Sequence, residues 1–243
     1  MSDPAQPPPS LLDELRAKSD VLRERVSASR KPVEEALQDI DQRLWKAFRW
    51  LDEALGHLEV IRPIVARRFQ LGNILTIAQP RFDRGFVSFR KRSLAGLELL
   101  DHIEMFYRLV GSEPIVLRVN PGGATAIEER LRASTLQFQY QTEQDDKRVV
   151  RYGLFHVQPV ISASVRLQPD YHRQVIDVTL RNVDRFESVS LEFPPDKISE
   201  PVLENLVQFL LGEANTFLHR APLAGFHARR DHQPLTEKAR QRA

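Results

Sequence analysis

The sequence predicts an α+β fold: an N-terminal helical segment read as a helix pair, an antiparallel β-meander sheet, and a long C-terminal helix packed on that sheet. Three stretches carry the prediction. Val33, Leu37, Ile40, Leu44, Ala47, Leu51, Leu55 and Leu58 recur at steps of three and four, the heptad-like spacing of a helix that packs on another helix. Leu136, Phe138 and Tyr140 alternate with Gln137, Gln139 and Gln141, and Ile161, Ala163, Val165 and Leu167 alternate again, the period of half-buried strands. Residues 199–220 place Leu203, Leu206, Leu210, Phe217 and other apolar residues on one side of a helix that Ser199 can cap and Pro222 ends.

Taken in order, residues 1–10 (MSDPAQPPPS) are too rich in proline for helix or central strand and read as a disordered tail. Residues 11–62 read as a helical hairpin or coiled-coil-like segment: Leu11, Leu12, Leu15, Leu22 and Val26 mark a first helix, Pro32 interrupts it, and the heptad pattern marks a second. An antiparallel α+β domain follows over residues 63–222. Its first strands are expected at 74–79 and 81–92, with a turn at 93–96. Residues 97–110 (LELLDHIEMFYRLV) fit a helix or a strand, and the β-branched and aromatic residues favour strand near 103–110. A short strand at 115–119, the Asn-Pro-Gly-Gly turn and a short helix at 126–133 lead into a meander of about five strands between 136 and 193. The turns there are short, which requires antiparallel neighbours. Residues 223–243 read as a flexible basic tail.

Composition narrows the function classes. With 243 residues the chain can bury a core. It contains no cysteine, which excludes disulfides, thiol nucleophiles and cysteine-held metal centres. Neither a secretory signal pattern nor an apolar run long enough to span a bilayer is present, so a cytoplasmic location without a membrane span is expected. Lys and Arg number 35 against 33 Asp and Glu, so where the charge sits matters more than the total.

The chemistry-bearing motifs are thin. Residues 84–89 (RGFVSF) place a basic residue and glycine ahead of aromatics, as the RNA-recognition-motif strand does. The match lacks that signature's second small residue and aromatic, and the order of elements differs. The Asn120–Thr125 turn has no nucleotide-binding glycine pattern, the seven histidines have no metal-ligand spacing, and no nucleophile elbow occurs. Hence no catalytic, cofactor or metal residue is assigned, and no cofactor is expected.

Two surfaces remain. Leu44, Trp45, Phe48, Leu51 and Leu55 give the second helix more apolar surface than one seam uses, which suits a protein partner or a second copy along helix 33–62. Arg67, Arg68, Arg81, Arg84, Arg90, Lys91 and Arg92 form a basic stretch relieved by Asp83, an anion or nucleic-acid patch. The leading expectation is a non-enzymatic cytoplasmic interaction or scaffold protein, self-associating or partner-binding through its N-terminal helices. The alternatives are nucleic-acid binding through residues 67–92 and an apolar-ligand domain that resembles helix-grip proteins in architecture alone. In that last reading Phe138, Phe155, Leu210 and Phe217 would line a cavity between sheet and helix.

Overall fold

The computed structural model describes residues 11–220; both expected tails, 1–10 and 221–243, lie outside the described residues. The fold is α+β. Helix α1 spans Leu11–Ile61 as one continuous element with Pro32 inside it, which corrects the helix pair. Proline removes one backbone hydrogen bond, at a cost of about 3 kcal/mol. In a helix of 51 residues the bonds on either side carry the chain across that gap.

The hairpin β1 (Arg68–Leu71) and β2 (Leu75–Ala78) comes next, then the long strands β3 (Arg81–Leu94) and β4 (Leu97–Val110). The ambiguous stretch is therefore strand throughout. After β5 (Ile115–Val119) and helix α2 (Ala124–Ala133) come β6 (Phe138–Gln144), β7 (Val150–Val157), β8 (Val160–Asp170), β9 (Val175–Arg181) and β10 (Ser188–Phe193). A five-stranded antiparallel sheet has the order β10-β9-β8-β4-β3, and a three-stranded sheet has the order β5-β7-β6. The expected five-strand meander is thus divided: β8, β9 and β10 keep it, while β6 and β7 leave for the smaller sheet. The division occurs where Gly111 donates its backbone N–H to the Pro159 carbonyl at 2.7 Å. There β4 runs on into β5 and β7 into β8, so one antiparallel ribbon bends from one sheet to the other, with Val110 opposite Val160 and Ile115 opposite Val157.

The expected C-terminal helix is also divided. Helix α3 (Glu200–Leu211) ends at Gly212, whose φ of 75° is open to glycine at little cost, and α4 (Phe217–Arg220) restarts after a turn. The Asn215 carboxamide oxygen accepts the Phe217 N–H at 3.0 Å, and the break lets Phe217 stack on Phe193 and Phe209 at 5.6 and 5.9 Å.

Helix α1 lies across β3 and β4 and beside α3. Ile103, Met105, Tyr107 and Leu109 alternate along β4 and are buried with Leu44, Leu51 and Leu55 of α1 in one hydrophobic cluster. Two polar contacts fix the helix lengthwise. Asp41 accepts the Leu100 N–H at 2.6 Å beside a β-bulge, and Glu59 accepts the Gly85 N–H at 2.9 Å.

At the far edge, Asp177 of β9 lies opposite Glu192 of β10. Burial first, and Glu192 second, raise the Asp177 carboxyl above its ordinary value; Arg173 opposes them. A carboxyl raised in the folded state costs stability when ionised, and the cost vanishes as pH falls through the raised value. Asp177→Asn is therefore expected to gain about 0.5 kcal/mol at neutral pH. The gain should disappear below the ordinary aspartate range, where both forms are neutral. Urea melts at the two pH values check this, and equal stability of the two proteins at neutral pH would refute it.

Candidate functional site

The heptad residues turn inward. Leu44 and Leu51 are fully buried and Leu55 nearly so, all in the chain's own core. Trp45 and Phe48 are half-buried and make an edge-to-face cluster with Phe89 of β3, with centroid distances of 4.8 Å for Trp45–Phe89 and 5.3 Å for Phe48–Phe89. Lys91 sits over the Trp45 ring at 5.5 Å. The surplus apolar surface read from the sequence is spent mainly on the sheet beneath α1.

The unspent surface lies earlier on the same helix. Leu37 is the first residue of α1 described as buried in the core, at 7% exposure, whereas Val33 is 57% and Leu22 61% exposed. Among the described side chains before Leu37, Val21, Leu22, Pro32 and Val33 are exposed.

The basic stretch is dispersed by the alternation of the strands. Arg67 is a structural residue: its guanidinium bonds Asp184 and the Phe209 carbonyl (2.8 Å) and stacks on the Phe209 ring at 4.5 Å. Arg81 donates to the Arg62 carbonyl at 3.0 Å, and Arg92 lies over the Tyr171 ring at 5.3 Å and 3.8 Å from Asp101. Arg68 faces an open cleft. Arg84 and Arg90 remain on a common face of β3, since each is an even number of residues from the other in a regular stretch.

Beside a pocket of about 110 Å³ lined by Leu180, Val183, Val189, Phe209 and Leu218, two further cavities bear on what the described residues can hold. Under α1 and α3 the void is about 10 Å³ and is lined by Leu55, Met105, Leu210 and other apolar side chains. That is the volume of one water-sized sphere, so the space under α1 and α3 is closely packed. Phe217 fills part of the core, while Phe138 and Phe155 pair at 5.6 Å in the smaller sheet. Burial pushes the Tyr107 phenol well above its ordinary range, and among the described residues its hydroxyl has no hydrogen-bond partner. The second cavity is an open cleft of about 610 Å³ between the β1–β2 hairpin, the end of α2 and residues 184–187. It was not marked by any sequence motif. Its arginines, Arg68, Arg130 and Arg185, face Asp184 and Glu187, and Arg185 is already within 3.5 Å of Asp184 and 3.8 Å of Glu187.

Among the described residues no three His, Asp or Glu side chains converge as a metal-ligand set, and no helix is long and apolar enough to cross a membrane. No family model matches the sequence, and neither a curated protein nor a solved structure matches the chain significantly.

Proposed function

We propose that this is a non-enzymatic cytoplasmic interaction protein that assembles as a homodimer through the part of α1 preceding Leu37. The observation that carries the reading is the change in exposure along one helix: the pattern of apolar residues continues from the core outward, but Val33, Leu22 and Val21 stand at 57%, 61% and 49% exposure. An isolated helical stretch of this length is marginal in water, because backbone ordering is not offset by packing. A second copy laid along it would bury Leu22 and Val33, which are both exposed. The absence of cysteine suits a reducing compartment.

Light scattering after size-exclusion chromatography tests this. The full chain is expected at twice its 28.0 kDa mass, and the double variant Leu22→Glu, Val33→Glu at 28.0 kDa with its circular dichroism otherwise preserved. Both positions are exposed, so the body folds without them. A full chain that stays at one protomer mass at tens of micromolar would sink the proposal.

A further inference from the structure

The face of the five-stranded sheet turned away from α1 carries an aromatic pair that the core does not use. In the β3–β4 register Phe86 lies opposite Phe106, Arg84 opposite Arg108, Ser88 opposite Glu104 and Arg90 opposite His102. Strand β8 extends these rows with Ser162, Ser164 and Arg166, and β9 places Arg181 beside Ser164. These residues alternate with Met105, Tyr107 and Leu109, which face the helices, so they share the opposite side. The Phe86 and Phe106 rings stack at 5.2 Å with 29° between their planes, and Phe86 is 59% exposed. Arg84 and Arg90 flank Phe86 on β3, roughly 20 Å apart along the strand.

We infer that this face binds single-stranded nucleic acid, with unstacked bases lying on the Phe86–Phe106 platform and phosphates meeting Arg84, Arg90 and Arg181. The reasons are chemical. An aromatic ring on an open sheet offers a π face that any base can stack on, whereas a duplex keeps its bases stacked on one another. A protein interface core is contiguous and depleted of charge. Here the two rings are fenced by Arg84, Arg108, Ser88 and Glu104, so the surface is a stacking platform in a polar field. Acids are present on this side of the sheet and define which cations are committed: Asp83 holds Arg108 at 2.8 Å and lies 4.0 Å from Arg84, and Asp101 holds His102 at 2.7 Å. Arg84, with 70% of its side chain exposed, keeps its guanidinium toward solvent. The basic signal seen in the linear sequence thus contributes two of its seven residues, and Arg181 joins them from a distant strand.

Fluorescence anisotropy with labelled twelve-nucleotide oligo-dT and oligo-rU, and with a twelve-base-pair duplex, tests the inference on the full chain. At least one single strand should bind in 50 mM salt, and the duplex at least tenfold more weakly. Raising salt to 200 mM should weaken the single-strand complex about 20-fold if three phosphate contacts are made. Phe86→Ala should weaken it by about tenfold or more at fixed salt without changing the salt dependence, since stacking and counterion release are separate contributions. Phe86→Tyr should retain binding. Arg84→Gln with Arg90→Gln should lower both the affinity and the salt dependence. Because Phe86 is largely exposed, a thermal melt of the Phe86→Ala protein is expected to match that of the parent. Failure to bind either single strand at 50 mM salt overturns the inference. So does equal binding of duplex, which marks general electrostatic attraction, or binding unaffected by Phe86→Ala. A stronger response to oligo-rU than to oligo-dT assigns RNA; the reverse assigns DNA.

Discussion

Gly85→Ala is expected to lower the free energy of unfolding by about 2–3 kcal/mol, because there is no room for even one carbon at that point. A Cβ on Gly85 would stand 2.8 Å from the backbone oxygen of Phe106, 3.1 Å from Leu55 Cδ2 and 3.1 Å from Tyr107 Cβ. Leu55 can shift; the carbonyl belongs to the β3–β4 ladder and cannot without breaking pairing. The same site anchors α1 through Glu59, so displacement of β3 would also loosen the helix. Gly56→Ala supplies a comparison of opposite sign. Nothing lies within 4 Å of a Cβ there, and the position is inside α1, so the change should stabilise by about 0.5–1 kcal/mol. Urea unfolding of both variants measures the difference; a Gly85→Ala midpoint equal to that of the parent would show that the sheet yields at no cost.

Arg67→Ala is expected to destabilise by about 3 kcal/mol, near the lower limit for breaking a buried pair, since Asp184 keeps access to water. Its guanidinium is held on three sides, by Asp184, by the Phe209 carbonyl and by the Phe209 ring, with 14% of the side chain exposed. These contacts join the chain just after α1 to the loop between β9 and β10 and to the end of α3. Removing them leaves the Phe209 carbonyl without its side-chain donor. A double-mutant cycle with Asp184→Ala should return a coupling of about 1–2 kcal/mol. Arg90→Ala, on the exposed face, should leave stability within about 0.5 kcal/mol of the parent. If the two arginines prove equivalent in denaturant melts, the structural role assigned to Arg67 is wrong.

What could be read in the sequence depended on whether its cause was local. The second half of α1 and the body of α3 were legible because a repeating apolar stripe needs only neighbours three and four residues away. The end of α3 was not, although Gly212 stood in plain sight. Glycine inside an apolar helical pattern is ambiguous until the close packing of Phe217 on Phe193 shows that the chain must turn. The split of the strands into two sheets was hidden because the two residues between β7 and β8, Gln158 and Pro159, look like a hairpin connection. They instead carry a bend within a continuing ribbon. On the surface, Leu44, Leu51 and Leu55 were visible as an apolar seam, but no sequence period says whether a seam meets its own sheet or another chain. Arg67 read as part of a basic run because its acid partner is 117 positions away. The Phe86–Phe106 pair was invisible for a related reason: extra residues at Asp83 and Asp101 shift the β3–β4 register, so which side chains lie opposite one another is not a matter of counting from the turn.

The bend at Gly111 and Pro159 also divides the molecule by construction. Residues 111–159 depart from the five-stranded sheet and return to it at a single point, where the two chain crossings are joined by a backbone hydrogen bond of 2.7 Å. Every strand of the larger sheet, together with α1 and α3, lies outside that excursion. The smaller sheet and α2 are therefore an insertion module whose ends already meet. The ladders of the larger sheet therefore take no strand from residues 111–159, while Leu131 and Phe155 of that excursion still pack in the common core.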